Sequence, residues 1–183
     1  MDTRPIRTSA KALVIRDGRM LALRLRDAGG EFYIMPGGGQ RAGELLPEAA
    51  RREVLEETGI CVRVEGLAFV IEGAHGEPFH RVDLVFRCDY EGEDAGAARH
   101  FDINQTGVAW LDISTLNTAP LYPSRLRRAV MNLYESKPHA VYLGGRMAAS
   151  LYKHGLTREL MQIEILPDPA LNEQFGLPGG ADA

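Results

Sequence analysis

The chain contains 183 residues, of which 45% are hydrophobic and 25% are charged. These fractions match ordinary globular domains and argue against collagen-like, disulfide-rich and disordered proteins. Lys and Arg number 21 against 25 Asp and Glu, which gives a net charge of −4. Because duplex-binding proteins normally carry a basic excess, we expect no duplex nucleic acid as a partner.

Two features predict a cytoplasmic protein with no membrane association. No run of residues approaches the roughly 20 consecutive apolar positions that span a bilayer. The first residues carry charges at Asp2, Arg4 and Arg7 and lack the apolar centre of a signal peptide. The cysteines, Cys61 and Cys88, form no metal-binding pair and suit reduced thiols in a core.

The first part of the chain is expected to form strands that lead into a glycine-rich segment. Residues 9–26 contain two apolar runs around Asp17-Gly18, which is a strong hairpin signal. A short strand at 31–35 follows and ends at Pro36, before three consecutive glycines at 37–39. Because glycine has no Cβ atom, its backbone amides and carbonyls can approach a ligand closely.

A helix of about three turns is predicted over residues 47–57. Pro47 suits the first helical position, Glu48 the positive N-terminal end, and Gly59 the left-handed position after the last turn. Leu46 would then occupy the N-cap, where Ser, Thr or Asp is more favourable by about 1 kcal/mol.

The rest of the chain predicts further strands and a second helix. The expected elements are strands at 61–71 and 79–89 around a turn at 73–78, a loop at 91–97, a strand at 107–112, a helix at 124–134 and a strand at 140–143. This order indicates an α/β or α+β fold. We expect one domain over residues 1–145 and a partly irregular extension over 146–183, either a mobile tail or an interface arm.

Three carboxylates of the predicted helix share one face. At about 100° per residue, Glu53, Glu56 and Glu57 lie within roughly 100° of one another. Like charges at this spacing repel, so a partner should offset them. The candidates are Arg51 and Arg52, or a divalent cation. Oxygen ligands without nearby His or Cys favour Mg²⁺ or Mn²⁺ over zinc.

The segment that holds these carboxylates resembles a known family signature. Residues 38–60 read GGQRAGELLPEAARREVLEETGI, which resembles the Nudix hydrolase pattern Gx5Ex7REUxEExGU, where U is aliphatic. Every defined position matches: Gly38, Glu44, Arg52, Glu53, Val54, Glu56, Glu57, Gly59 and Ile60. The resemblance implies an α/β/α sandwich around a mixed sheet, and metal-dependent hydrolysis of a nucleoside diphosphate linked to another group.

The resemblance also implies roles for the matched residues. Glu53, Glu56 and Glu57 would bind Mg²⁺, for which Mn²⁺ can substitute, and Glu53 or Glu57 would also help to deprotonate the attacking water. Arg52 would orient a glutamate, with Glu44 as its partner or as an outer-sphere contact. The carbonyl of Gly38 would face the metal.

The substrate is a small nucleotide derivative in this interpretation, either a nucleotide sugar such as ADP-ribose or a nucleoside triphosphate. Tyr33, Phe79 and His80 are candidates for contacts with the base, and Arg7 for a terminal phosphate. Ordinary packing explains each of these three side chains at least as well as a substrate contact does. Family members often use an acidic loop for the general base, which adds Glu91, Glu93 and Asp94 as further candidates.

Two alternatives remain open at this stage. A Nudix-fold module that binds a nucleotide derivative as a sensor, without turnover, would share the fold but is expected to lose signature carboxylates, which are all present here. Nudix hydrolases often form dimers, so the resemblance alone also suggests a homodimer.

Overall fold

The computed structural model describes residues 5–73, 80–97, 100–101 and 104–145. In chain order the elements are β1 (Ile6–Arg16), β2 (Arg19–Asp27), β3 (Gly30–Ile34), β4 (Gly37–Gly39), α1 (Leu46–Thr58), β5 (Ile60–Gly73), β6 (His80–Glu93), β7 (Gln105–Asp112), a 3₁₀ helix (Ile113–Thr118), β8 (Leu121–Tyr122), α2 (Arg125–Tyr134) and β9 (Tyr142–Gly145). Phe79, the turn predicted after Gly73 and the extension 146–183 lie outside the described residues.

Strand β1 organises the sheet because it pairs with three other strands. It forms the predicted hairpin with β2, antiparallel through Ile15 opposite Met20. It runs parallel to β6, from Ile6 opposite His80 onward, and antiparallel to the short strand β4. Across the described residues the order is β8-β3-β2-β1-β6-β5-β9, with β4 paired to β1 and β7 paired to β2.

The alternation of side chains along β1 builds two cores, one on each face of the sheet. Even-numbered positions such as Ala10 and Val14 pack with α1, through its buried residues Ala49, Ala50 and Val54. Leu13, an odd-numbered position, packs with α2, through its buried residues Leu126, Ala129 and Val130. Helices therefore cover both faces of a mixed sheet, and the predicted α/β/α sandwich is confirmed.

The start of α1 differs from the sequence-based prediction by one residue. The N-cap is Leu45 rather than Leu46, and Pro47 is the second helical residue. The side chain of Leu45 has no hydrogen-bond acceptor. Instead, the backbone N of Leu45 donates a hydrogen bond to the carboxylate of Glu48 at 2.8 Å. The helix ends as predicted at Gly59, which has φ 74° in the left-handed region.

The predicted loop at 91–97 is partly wrong. Strand β6 continues to Glu93, which pairs with Ile60 at the start of β5. The polar residues up to Glu93 stay in the sheet because β5 pairs with β6 as far as this residue. Chain reversal begins only at Asp94, whose backbone N donates to the carbonyl of Gly59 at 2.8 Å.

Both cysteines are free thiols, as expected. Cys88 is buried in the core beneath α1, and burial raises its pKa to about 12, so it contributes packing rather than reactivity. The helices in the described ranges are all too short or too polar to cross a bilayer.

Candidate active site

The glycine strand β4 is positioned by a buried carboxylate. Glu57 is only 4% exposed, and its Oε2 accepts a hydrogen bond from the backbone N of Gly37 at 2.7 Å. Gly37 has φ 129°, and a Cβ there would overlap the backbone of Ala10 and Lys11. Only glycine fits this position. The hydrogen bond from Gly37 to Glu57 therefore joins β4 to α1 at a residue that has no side chain.

The next glycine faces a second carboxylate of α1. A Cβ atom added to Gly38 would lie 2.5 Å from the carboxyl carbon of Glu53, well inside van der Waals contact. Gly39, by contrast, would place a Cβ 3.6 Å from Nη2 of Arg7, at an ordinary distance. The bare backbone of Gly38 therefore provides the space that the Glu53 carboxylate occupies.

Arg52 links the acidic side chains into one network. Its Nε and Nη2 bind the two carboxylate oxygens of Glu44, at 2.7 and 2.9 Å, in the two-pronged geometry that guanidinium favours. Its Nη1 donates to Glu53 at 2.7 Å and to Glu56 at 3.3 Å. The Arg52 side chain is 16% exposed. A single guanidinium group thus binds three carboxylates.

These contacts shift the pKa values of the central pair. The hydrogen bonds that Arg52 donates lower the pKa of Glu44 to about 2, against an opposing effect of burial. The hydrogen bonds that Arg52 donates to Glu44, and then to Glu53, raise the pKa of Arg52 above its ordinary value. Both groups therefore stay charged over the whole physiological range.

A second arginine, Arg41, supports the same cluster and was missed from the sequence. Its Nη2 lies 3.3 Å from Oε1 of Glu56, and its backbone N donates to Glu44 at 3.0 Å. Gln40 donates to the carbonyl of Glu44 at 2.6 Å. The segment between β4 and α1 is thereby fixed to the carboxylates. Arg41 occupies a variable position of the signature, so the pattern carried no signal for it.

The donor set fits a hard divalent cation. Glu53, Glu56 and Glu57 offer only carboxylate oxygens, which are the ligands that Mg²⁺ prefers, and the backbone of Gly38 lies against the Glu53 carboxylate. Within the described ranges, no three acidic, histidine or cysteine side chains lie close enough together to form a ready-made metal centre. In this arrangement the positive charge beside Glu53 comes from the guanidinium of Arg52, and that beside Glu56 comes from Arg52 and Arg41.

The described candidates for substrate contacts lie on three strands, with Arg7 of β1 and His80 of β6 close together because Ile6 pairs with His80. Tyr33 is half-buried on β3, and its hydroxyl donates to Glu31 at 2.6 Å, which together with burial raises its pKa. His80 begins β6, with Nε2 3.9 Å from Glu72. Arg7 is exposed beside Gly39. The structure thus brings Arg7 to the glycine strand and places the His80 ring beside the Glu72 carboxylate.

Two further charged residues on strands were given no role from the sequence. Lys11 on β1 contacts the carbonyl oxygen of Gly37 through its ammonium group. Asp83 on β6 is 6% exposed, with Oδ2 3.0 Å from Nε of Arg81. The available signal was a single charge inside each apolar run, at an alternating position that faces inward.

Comparison with known proteins places the chain among proteins of one family. The model of the NUDIX domain matches residues 5–133. A MutT-like protein from Streptomyces ambofaciens is 35% identical over 125 residues, which cover 67% of this chain and 75% of that protein. An ADP-ribose pyrophosphatase from Methanocaldococcus jannaschii is 35% identical over 79 residues, which cover 39% of this chain and 47% of that protein.

A third relative carries a different substrate in its name. An oxidized purine nucleoside triphosphate hydrolase from Danio rerio is 32% identical over 111 residues, covering 57% of this chain and 65% of that protein. Among solved structures, a NUDIX hydrolase from Nitrosomonas europaea superposes with a TM-score of 0.61 at 19% identity, covering 75% of this chain and 94% of that one. This structural likeness supports the fold.

Proposed function

The chain belongs to the Nudix family and is a hydrolase acting on phosphoric anhydride bonds, and from this premise we propose a specific reaction. The protein is a Mg²⁺-dependent pyrophosphohydrolase that cleaves a nucleoside diphosphate linked to a second group, by attack of water on phosphorus. The observation that carries this proposal is the position of Glu53 against the bare backbone of Gly38, inside the network of Arg52.

Glu53, Glu56 and Glu57 would hold the cation, together with the carbonyl of Gly38. Glu53 and Glu56 must then turn from Nη1 of Arg52, which rotation about their χ angles permits. When bound, Mg²⁺ would neutralise charge that builds on the pyrophosphate oxygens and lower the pKa of the attacking water. Mn²⁺ has similar ligand preferences and would substitute.

The remaining residues of the network would position these ligands. Arg52 would stay anchored by its two bonds to Glu44 while Glu53 and Glu56 turn, so the charge of Arg52 would remain beside the pyrophosphate. Glu57 is fixed by its hydrogen bond from Gly37 N. Either Glu53 or Glu57 would accept the proton of the attacking water, because each lies at the glycine strand.

The substrate would be a small nucleotide derivative rather than nucleic acid. One relative is named for ADP-ribose and another for oxidized purine nucleoside triphosphates, and both compounds contain a nucleoside attached to a pyrophosphate. Arg7 and Lys11 place positive charge beside Gly39 and Gly37, which suits phosphate oxygens. Tyr33, Phe79 and His80 remain proposals for contacts with the base. A cytoplasmic location is part of this proposal.

The test is product release from ADP-ribose, other sugar nucleotides, dinucleoside polyphosphates and modified nucleoside triphosphates, with Mg²⁺, Mn²⁺ or EDTA. We expect cleavage of one class, abolished by EDTA. Glu57→Gln should lower the rate by at least about 10²-fold. Glu65→Gln, which removes a surface carboxylate paired with Arg63, is the matched control and should leave the rate unchanged.

Two outcomes would contradict this function. Cleavage that persists in EDTA would remove the cation from the reaction. No cleavage of any compound, with a rise in melting temperature on adding one of them, would instead support the alternative of a nucleotide-binding sensor.

A further inference from the structure

Asp83 holds a carboxylate oxygen that nothing in the described part of the chain satisfies. Its Oδ2 lies 3.0 Å from Nε of Arg81, but its Oδ1 is buried and has no hydrogen-bond partner there. A buried acceptor that has lost water and gained no donor is costly to the folded state. Such a group requires an explanation, and a donor supplied by a ligand is one.

The position of Asp83 connects it to the glycine strand. On β6, Leu84 and Phe86 pack on the side of α1, whereas Val85 packs on the opposite face with α2. By alternation Asp83 shares the face of Val85. Lys11 of β1 lies directly opposite Val85, so Lys11 and Asp83 are diagonal neighbours on one face, and Lys11 contacts the carbonyl of Gly37.

The separation between the glycine strand and Asp83 suits a nucleotide. Gly38 pairs with Ala10, and Ala10 pairs with Leu84, the neighbour of Asp83. Two strand spacings of roughly 4.8 Å each place Asp83 about 10 Å from Gly38 across the sheet. A pyrophosphate held at β4 would therefore extend its nucleoside over β1 towards β6.

We infer that Asp83 is a specificity-determining residue, whose Oδ1 accepts a hydrogen bond from the nucleoside part of the substrate. The donor is an N–H group of the base or a hydroxyl of the ribose. A phosphate is excluded at this position because it carries the same charge as the carboxylate. Arg81 and the substrate then share the two oxygens of Asp83. This inference rests on the proposed function, since it assigns the selectivity of that same site.

A substrate that lacks the donor would leave Oδ1 unpaired and would be rejected. The experiment compares pairs of nucleoside diphosphate derivatives that differ by one donor: guanosine and inosine, adenosine and purine riboside, uridine and 3-methyluridine, and ribose with its 2′- or 3′-deoxy form. The base pairs and the sugar pairs separate the two sources of the donor. For the wild type, removal of the relevant donor should lower kcat/KM about 10-fold or more.

In Asp83→Asn this penalty should fall below about 3-fold, because the charged acceptor is gone. Arg81→Gln is the matched control, since it removes the ion pair but keeps Oδ1, and it should retain the full penalty. If Asp83→Asn does not fold, Asp83→Glu displaces the oxygen while keeping its charge and allows the same comparison.

The inference is overturned if every pair shows the same ratio in the wild type and in the variant, or if the variant loses kcat/KM equally on all substrates. The dissociation constants of the corresponding nucleoside monophosphates, measured by calorimetry in EDTA, give a second readout. A donor penalty in binding that depends on Asp83, without hydrolysis, would support the inference and contradict only the proposed function. Absence of binding by all of the monophosphates would contradict the inference itself.

Discussion

The two faces of the sheet at the glycine strand β4 differ in how their carboxylates are paired. On the α1 face, Glu44, Glu53 and Glu56 all bind the guanidinium of Arg52. On the opposite face, Lys11 contacts the backbone of the strand, and Asp83 keeps one buried oxygen without a partner in the described residues.

This difference separates two kinds of carboxylate. Those on the α1 face are already paired with arginine side chains of the protein, so they can exchange one cation for another. Oδ1 of Asp83 has no donor among the described residues that a ligand would have to displace. The first arrangement suits a site that binds and releases a metal ion, and the second suits a site that selects a neutral group by a hydrogen bond.

The largest expected effect comes from filling the space on the α1 face. In Gly38→Ala, the new Cβ would lie 2.5 Å from the Glu53 carboxyl carbon and would push that carboxylate from Arg52. Because Glu53 is flexible, the fold should survive with a small loss of stability. A displacement of this size costs about 10²-fold in catalysis, which steady-state hydrolysis measures.

Gly39→Ala is the control for that variant, since its Cβ would meet only Nη2 of Arg7 at 3.6 Å. We expect it to retain nearly full activity. Equal losses in both variants would show that the strand needs glycine for its backbone alone, and that the space in front of Glu53 has no special role.

A smaller effect is expected from the pH dependence of stability. The pKa of Glu44 falls from 4.5 to about 2 on folding, so Glu44 stabilises the native state above pH 4.5, and this contribution is lost as the pH falls towards 2. Glu44→Gln should therefore lower the free energy of unfolding by about 1–3 kcal/mol at pH 6. Urea unfolding of both proteins at pH 6, 4 and 2.5 should show the difference shrinking. A difference that stays constant would contradict the role of the charge.

Much of the fold followed from local patterns. The Asp17-Gly18 turn, the Gly59 helix end and the apolar runs each have a local physical cause, and the structure confirms them. One error arose where a distant partner decides, since strand β6 extends to Glu93 because β5 pairs with it. The other error is local, since the N-cap lies at Leu45 because the nearby side chain of Glu48 binds the backbone N of Leu45.

The candidate site was predictable only in part. Spacing on a helix brought Glu53 and Glu56 to one face, and the resemblance paired Arg52 with Glu44, a contact the structure contains. Asp83 was not predictable, because its position beside Lys11 depends on the parallel register of β1 and β6. Neither strand carries a local signal of that register.

The most direct test of the central claim, that the acidic face of α1 binds a divalent cation, is a titration with Mn²⁺. Free and bound Mn²⁺ are distinguished by electron paramagnetic resonance in the absence of substrate. We predict saturable binding to the wild type and to Glu65→Gln, weakened at least about 10-fold in Glu53→Gln because a charged carboxylate ligand is replaced by a neutral amide. Equal binding by the wild type and Glu53→Gln, or no binding by the wild type, would contradict the account.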